Sequence, residues 1–157
     1  MARDPLVYSL TIPSYGRFVY RIGDRGLISL DWQDEEGQKE DYKDPLGLSG
    51  MFISYFSGER IDFRDLPVDY NCIGPIYREI LEFIRTIPYG STLTYGEVAK
   101  KLGRPKSSRI VGSAMRVNPC PIVLPCHRVI GKHSLGGYSL GIEKKILLLK
   151  LEGVNIC

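Results

Sequence analysis

The sequence has few of the residues from which disulfide scaffolds and metal centres are built. Its 157 residues include four cysteines and two histidines, and the cysteines are scattered: Cys72, Cys120, Cys126 and Cys157. A small secreted disulfide scaffold would carry more cysteines at closer spacing, so the sequence predicts a cytosolic protein whose thiols are mostly reduced. The longest dense apolar run, ILLLKL, is far shorter than the roughly 18 residues that a membrane span needs. The early residues also lack a signal-peptide pattern, so we expect a cytoplasmic protein without a membrane partner.

Positive charge is scarce in the first half of the chain and abundant in the second. Residues 1–70 contain 8 Lys and Arg against 13 Asp and Glu, a net charge of −5, whereas residues 71–157 contain 13 against 5, a net charge of +8. Such an asymmetry favours a second half that binds a polyanion. On charge alone, the alternative is a chance imbalance between charged residues that lie on solvated surfaces and bind no partner.

The first third of the chain has the composition of β-strands. The segments LVYSLTI, RFVYRIG and LISLDW are rich in β-branched and aromatic residues, and GDRG between the last two is typical of a hairpin. LGLSGMFISYFSG then predicts a short helix that ends at Gly58. We expect residues 1–72 to form a small domain with an antiparallel sheet plus a helix.

From residue 74 onward the apolar residues recur with the period of a helix. GPIYREILEFIRTIP predicts an amphipathic helix, with Ile76, Ile80 and Ile84 among the inward residues and Arg85 on the polar side. TYGEVAKKLG and SRIVGSAMRV predict two short helices joined by about four residues, which is a helix-turn-helix candidate. GIEKKILLLKLEG predicts a last helix that packs into the core. The fold class is therefore α/β (α+β), with a mostly helical domain over residues 73–157.

The two short helices carry recognisable end signals and one unusual face. Thr94 and Glu97 have the spacing of a capping box at the first helix, and Ser107 or Ser108 is a plausible cap for the second. On the second helix, small and basic residues share one face (Arg109, Gly112, Ser113, Arg116), while the apolar ones are expected inside (Ile110, Val111, Ala114, Met115). Small residues between two arginines suit a phosphate-lined groove. Packing against another helix, with the arginines solvated, is the alternative.

The segment VNPCPIVLPCHRVIG surrounds a thiol with prolines and places a histidine beside it. A zinc site prefers two residues between paired cysteines and a second pair of ligands, whereas Cys120 and Cys126 are six positions apart and the other histidine is His133. Haem attachment needs C-x-x-C-H, which is absent. An inert buried cysteine explains neither Pro125 nor the polar residues that follow.

An activated nucleophile explains more of this pattern. A free thiol has a pKa of about 8.5, so at neutral pH it needs either a lowered pKa or a base. His127 is the adjacent candidate base, and an imidazole needs a partner that fixes its tautomer. Of the five carboxylates in the second half, Glu152 is the best placed along the chain. The sequence therefore predicts a set of cysteine, histidine and acid.

The motif PCHRVIG, with NPCPIVLPCHR before it and YSLG after it, resembles the O6-alkylguanine-DNA alkyltransferase family of direct-reversal DNA repair proteins. The resemblance is close over residues 74–153, including IPYGSTLTYGEVAKKLGRPKSSRIVGSAMRVNP, and loose before them. It implies an irreversible, single-turnover transfer of an alkyl group from O6-methylguanine in DNA to Cys126, without a cofactor, and leaves O4-methylthymine open as a further substrate. It also implies a monomer that binds double-stranded DNA through the minor groove.

The resemblance assigns roles to individual residues. Cys126 is the acceptor thiol, and His127, through a bridging water, and Glu152 generate the thiolate. Asn118 ties the active-site turn to the DNA-binding helix. Arg109 enters through the minor groove and fills the gap left by the flipped nucleotide, and Tyr95 helps to rotate that nucleotide out of the duplex. The expected substrate and DNA contacts comprise Arg109, Ser108, Gly112, Ser113, Arg116, Arg128, Val129, Tyr138 and Ser139.

Two departures from the family pattern are visible, and three alternatives stay open. The loop between Val129 and Tyr138 is slightly short, and the N-terminal zinc ligands of some members are absent, so we expect no metal. The alternatives are a non-catalytic relative that binds alkylated DNA, a helix-turn-helix regulator with a sensor thiol, and a cysteine hydrolase. The relative would lack the acceptor Cys126, the regulator would carry more base-reading side chains than Gly112 and Ser113 offer, and the hydrolase would place its histidine far from its cysteine.

Overall fold

A computed structural model of the protein describes residues 3–34 and 43–156. The chain divides into two compact units between Tyr70 and Asn71. Within the described ranges, no helix is both long enough and apolar enough to cross a bilayer. Three of the cysteines, Cys72, Cys120 and Cys126, are free thiols, and the fourth, Cys157, lies outside the described residues.

The first unit is an antiparallel sheet covered by one helix, as the sequence predicts. Strands β1 (Leu6–Ile12), β2 (Gly16–Gly23) and β3 (Gly26–Gln33) pair in the order β1-β2-β3, and helix α1 covers Leu48–Phe56. Phe18 on β2 packs against Phe52 of α1 with ring centroids 5.2 Å apart. Alternation along the strands brings such aromatic residues to one face, where burying them stabilises the unit.

The second unit is mostly helical. It contains α2 (Pro75–Ile84), β4 (Leu93–Thr94), α3 (Tyr95–Lys101), α4 (Ser108–Arg116), a 3₁₀ turn (Cys126–Arg128), β5 (Val129–Ile130) and α5 (Ile142–Leu151). The two short strands pair in parallel, with Leu93 opposite Val129. This pairing brings the start of α3 next to the 3₁₀ turn that carries the cysteine.

Helices α3 and α4 form the predicted helix-turn-helix pair. Thr94 is the N-cap residue of α3, because its Oγ1 accepts a hydrogen bond of 3.1 Å from the Glu97 amide, which is one half of the predicted capping box. Ser107 is the N-cap residue of α4, although its side chain makes no capping hydrogen bond. The mixed fold class inferred from the sequence is therefore correct.

Three residues lie on the opposite side of their helices from the predicted one. Ile76 and Ile110, expected inside, are 44% and 38% exposed, and Arg85, expected outside, is buried. Neighbouring helical residues point about 100° apart, so Ile110 and the buried Val111 cannot share one narrow face. Arg85 lies at the end of α2, where its stem is covered and its Nη1 reaches Glu82 Oε1 at 3.6 Å.

Candidate active site

Cys126 is the first residue of a buried 3₁₀ turn that several hydrogen bonds hold in place. Every residue from 120 to 129 is buried. The amide of Cys126 donates to the carbonyl of Leu124 at 2.7 Å, and the amide of Arg128 donates to the carbonyl of Pro125 at 3.0 Å. Ile122 has a φ of 74°, a region that is strained for a β-branched residue. Surrounding hydrogen bonds are needed to hold such a turn.

Asn118 supplies part of that support. It lies just after α4, and its Nδ2 donates to the carbonyl of Leu124 at 2.8 Å while its Oδ1 accepts from the amide of Cys120 at 2.9 Å. A hydrogen bond from its side chain also acts on the thiol of Cys126. The amide group therefore links the end of α4 to the cysteine turn, at the position the sequence predicted.

A cavity of about 330 Å³ opens beside the thiol. Its lining consists of Tyr95, Gly112, Met115, Arg116, Cys126, Gly137, Tyr138 and Ser139. Volumes of this order are typical of small-ligand sites. The fold thus collects six of the predicted site residues, from α3, α4, the cysteine turn and the segment before α5, around one space. Cys126 itself is only 3% exposed.

The thiol rests protonated in this environment. Burial raises the pKa of Cys126 to about 11, although the hydrogen bond from Asn118 and the charge of Lys145 act in the opposite direction. Desolvation disfavours the thiolate because the charged form loses its hydration. A reaction at neutral pH therefore requires a group that accepts the thiol proton.

His127, the next residue along the chain, is the candidate for that group. Its Nε2 lies 2.7 Å from Glu152 Oε2, and both side chains are fully buried. Burial lowers the pKa of His127, and the hydrogen bond and charge of Glu152 offset this only in part, so the ring is neutral. An ionised carboxylate only accepts hydrogen bonds, so the ring proton lies on Nε2 and the lone pair on Nδ1. Among the described residues, Nδ1 has no hydrogen-bond partner.

Glu152 is held ionised by the cation of Arg128 and by a hydrogen bond from the neutral His127. Burial alone would raise the pKa of Glu152, but the hydrogen bonds from His127 and Arg128 and the charge of Arg128 outweigh it and hold the pKa well below its usual value. Arg128 Nε lies 2.8 Å from Oε1 and Arg128 Nη2 lies 3.0 Å from Oε2. This is a two-pronged pair of the kind that a planar guanidinium makes.

The position of Arg128 corrects one prediction from the sequence. Arg128 was expected to contact DNA, but it is 7% exposed and its guanidinium is engaged with Glu152 and with the carbonyl of Ile87. A buried, paired arginine has no free charge to offer a phosphate. Arg128 therefore belongs to the interior of the site.

Lys145 is a site residue that the sequence did not reveal. It is fully buried in α5, and its Nζ donates to the carbonyls of Val129 at 2.7 Å and Gly137 at 3.0 Å. Burial lowers the pKa of Lys145 to about 8, an effect that a thiolate at Cys126 would partly offset. The carbonyl of Val129, expected to face the substrate, thus already accepts a hydrogen bond from Lys145.

Two tyrosines form the walls of the cavity. The pKa of Tyr95 is raised by burial and by Cys126, and its ring packs so closely on Gly136 that a Cβ there would lie 2.6 Å from the tyrosine oxygen. Burial raises the pKa of Tyr138 well above its usual value, and its hydroxyl has no hydrogen-bond partner among the described residues. Both phenols therefore stay protonated and can donate to a polar group in the cavity.

The outer face of α4 carries the predicted basic residues. Ser108, Arg109 and Arg116 are exposed, and Gly112 has open space where a side chain would extend. Ser113 Oγ donates to the carbonyl of Arg109 at 3.1 Å, so its hydroxyl is committed to the helix. Arg116 also lines the cavity, which joins this face to the thiol. Within residues 3–34 and 43–156, no three His, Cys, Asp or Glu side chains cluster closely enough to hold a metal ion.

Comparison with known proteins identifies the family. Residues 75–154 match the family described as 6-O-methylguanine DNA methyltransferase, DNA binding domain. A methylated-DNA–protein-cysteine methyltransferase of Saccharolobus islandicus is 36% identical over 152 residues, which cover 96% of this chain and 98% of the relative. The chain belongs to the 6-O-methylguanine DNA methyltransferase family.

Other members of the methyltransferase family are similar in sequence and in fold. A methylated-DNA–protein-cysteine methyltransferase of Shigella flexneri is 38% identical over 128 residues, or 81% of this chain and 74% of that protein. The crystal structure of Mycobacterium tuberculosis OGT in complex with DNA has a TM-score of 0.80 at 33% identity, covering 94% of this chain and 92% of that one. The likeness extends over both compact units, since it covers nearly the whole chain.

Proposed function

We propose that this protein repairs DNA by direct reversal, as a methylated-DNA–protein-cysteine methyltransferase that takes an alkyl group from O6-alkylguanine onto Cys126. The observation that carries this proposal is the thiol of Cys126 in the wall of a cavity of about 330 Å³, next to a neutral His127 held by Glu152. The relatives named as methyltransferases, and the DNA bound to the Mycobacterium tuberculosis protein, support it.

The reaction balances with the groups in the site. The thiol proton passes to Nδ1 of His127, through a bridging water, while the sulfur attacks the alkyl carbon. The carbon–sulfur bond forms as the bond from that carbon to O6 breaks, and the proton that His127 took up passes on to the leaving guanine. The product is a thioether. The thiolate is too poor a leaving group to be displaced from it, so each molecule reacts once. No cofactor enters this sequence of steps.

The α4 face is the proposed DNA-binding surface. Double-stranded DNA hides O6 of guanine inside the base stack, so the damaged nucleotide must leave the duplex, at a cost of about a few kcal/mol. Arg109 is exposed beside the cavity-lining part of α4 and fills the gap in the minor groove that the nucleotide leaves, while Tyr95 helps to rotate it. Arg116, Ser108 and the small Gly112 and Ser113 let the helix approach the phosphates.

We further propose a monomer that acts in the cytoplasm, where its thiol stays reduced. The first unit supports the second, which binds DNA and accepts the alkyl group. Tyr138 and Ser139 belong to the segment that closes over the base, and Asn118 transmits the state of Cys126 to α4.

A labelling experiment tests the function. The protein is mixed with duplex DNA that carries O6-methylguanine labelled in its methyl group, and the label is located by peptide mapping. We expect one label per molecule, on Cys126, and none in the Cys126→Ser variant, which should still bind the duplex. The Cys72→Ser variant, with its exposed thiol removed, is the matched control and should accept the label normally.

Each outcome points to a definite alternative. Binding without any label on the protein would indicate a lesion-binding relative. Label on Cys72, Cys120 or Cys157 would overturn the assignment of the acceptor. Methyl groups released to water in amounts exceeding the protein would indicate a hydrolase.

A further inference from the structure

The segment IPYG, residues 87–90, has no role in the reaction as described, yet it contacts both Arg128 and Glu152. It follows α2, and the carbonyl of Ile87 accepts a hydrogen bond of 2.8 Å from Nη1 of Arg128. The remaining two nitrogens of that guanidinium, Nε and Nη2, bind the two oxygens of Glu152. All three nitrogens of Arg128 are thus engaged inside the protein, which fixes the guanidinium plane.

The rest of the segment closes around the same carboxylate. The amide of Gly90 donates to Glu152 Oε1 at 3.3 Å, and a Cβ at this glycine, whose φ is +79°, would lie 3.0 Å from the Glu152 carbonyl oxygen. The ring of Tyr89 lies 5.9 Å from Arg128 Cζ, within cation–π range, and its hydroxyl donates to the carbonyl of Leu151 at 3.2 Å. We call Arg128 together with residues 87–90 the carboxylate socket.

The carboxylate socket determines what Glu152 can do for His127. An arginine stays charged at every accessible pH, so Glu152 is an anion that accepts hydrogen bonds and cannot donate one. The ring of His127 must then donate from Nε2, and Nδ1 is left to accept the thiol proton. The charges of Arg128 and Glu152 also cancel each other, so the buried site has no need of a proton on the imidazole.

We propose that Arg128 is a positioning residue for the alkyl transfer: the carboxylate socket fixes Glu152 so that His127 presents a neutral Nδ1 to the thiol. The inference rests on the proposed function, because it concerns the base of that reaction. It assigns a role to Arg128 and to the IPYG segment that DNA binding does not require.

The charges around the imidazole give the expected direction of change. Burial lowers the pKa of His127, Glu152 raises it, and Arg128 and Lys145 lower it again. Removing the charge of Arg128 leaves the Glu152 anion unbalanced, so a proton on His127 becomes favourable. The pKa of His127 then rises, and the fraction of neutral base at a given acidic pH falls.

The test compares Arg128→Gln with Arg104→Gln. Arg104 also pairs with a glutamate, Glu79, at 3.1 Å, but on the surface of the same unit. The rate of benzyl transfer from free O6-benzylguanine is measured against pH, so that DNA binding does not contribute. We expect the acidic limb of the Arg128→Gln profile to move to higher pH, with at least about a tenfold lower rate on that limb, which corresponds to one pH unit. Arg104→Gln should follow the wild type.

Two further measurements separate this role from a merely structural one. Arg128→Lys restores the charge without the planar fork, so its acidic limb should return toward the wild type. Nitrogen-15 NMR of the wild-type histidines needs no variant: His127 should show a proton on Nε2 and a bare Nδ1 at neutral pH, with the exposed His133 as an internal reference.

The inference and the proposed function fail in different ways. A wild-type protein that takes no benzyl group contradicts the function itself. If the wild type reacts and the Arg128→Gln limb superimposes on it, or if NMR shows an imidazolium or a proton on Nδ1 at neutral pH, the role of the carboxylate socket is wrong while the function stands.

Discussion

Nζ of Lys145 lies 2.7 Å from the carbonyl oxygen of Val129, in the interior of the methyltransferase site. The same ammonium donates to the carbonyl of Gly137, so one side chain ties the residues that follow the cysteine turn to the segment along the cavity. Its charge also acts on the thiol, because it lowers the pKa of Cys126 against the effect of burial.

Replacing this lysine should weaken both the fold and the reaction. Lys145→Met removes the donor and leaves two carbonyls without it, which we expect to lower the free energy of unfolding by about 1–3 kcal/mol. The transfer rate should fall on duplex DNA and on free O6-benzylguanine alike, because the change acts within the cavity. Denaturant titration and single-turnover rates measure the two effects. Lys150→Met, an exposed change on the same helix, is the control, and equal behaviour of the two variants would contradict the role of Lys145.

Arg109→Ala should separate extrusion of the base from chemistry. We expect repair of duplex DNA to slow by at least about tenfold, because the variant no longer offsets the few kcal/mol of unstacking. Reaction with free O6-benzylguanine should be nearly unchanged, since a free base needs no extrusion. Single-turnover rates on both substrates, at one stated salt concentration, make the comparison. Equal losses on both would assign Arg109 a structural role instead.

The stability of the methyltransferase should fall steeply in acid because of Glu152 and His127. The folded state holds the pKa of Glu152 well below its usual value of 4.5, so this contribution is complete above that pH and is lost progressively as the pH falls below it. The pKa of His127 is lowered from 6.5, so the unfolded chain takes up that proton first and stability begins to decline below about 6.5.

Glu152→Gln tests this assignment. The substitution leaves the buried Arg128 uncompensated, and we expect a loss of about 3–5 kcal/mol at neutral pH. Below pH 4.5 the variant should show a flatter decline than the wild type, because the titrating carboxylate is gone. Denaturant unfolding over a pH series gives both numbers. Parallel acid curves would place the titrating group elsewhere in the chain.

Alkylation of Cys126 should destabilise the protein. The thiol is 3% exposed in a turn held by Asn118, so an added group overpacks the turn at a cost of about 1–3 kcal/mol. The melting temperature should fall by several degrees, and a benzyl group should have a larger effect than methyl. Strain that is transmitted through Asn118 to α4 should also lower the affinity for DNA. Melting curves of the free, methylated and benzylated protein decide the matter, and three identical curves would disprove the coupling.

Local signals in the sequence were sufficient for the elements and for the chemistry. The N-cap at Thr94 and the turn between α3 and α4 depend on neighbouring residues, so the sequence predicts them directly. Cys126 and His127 are adjacent, so the sequence shows the proposed thiol and its proposed base together. Glu152 could be chosen only because few carboxylates compete with it in the second half.

The errors come from contacts between residues that are far apart along the chain. From the sequence alone, a charged side chain in a helix or beside a reactive cysteine is predicted to be solvent-exposed. Lys145 is buried instead, because it donates hydrogen bonds to carbonyl groups 16 and 8 residues away. Arg128 donates hydrogen bonds to Glu152, 24 residues away along the chain, and to the carbonyl of Ile87, 41 residues away. Ile110 and Arg85 show that helical periodicity locates the buried stripe but not its edges. Burial of a charge becomes predictable only once its partners are known.

Cys126 is the single thiol among the residues that line the cavity, and the reaction leaves it capped. A protein of this kind behaves as a titrant rather than as a turnover catalyst: the number of lesions that a cell can erase at once equals the number of unreacted molecules it holds. Repair in a time course should rise to a plateau set by protein dose, and only fresh synthesis should raise that plateau.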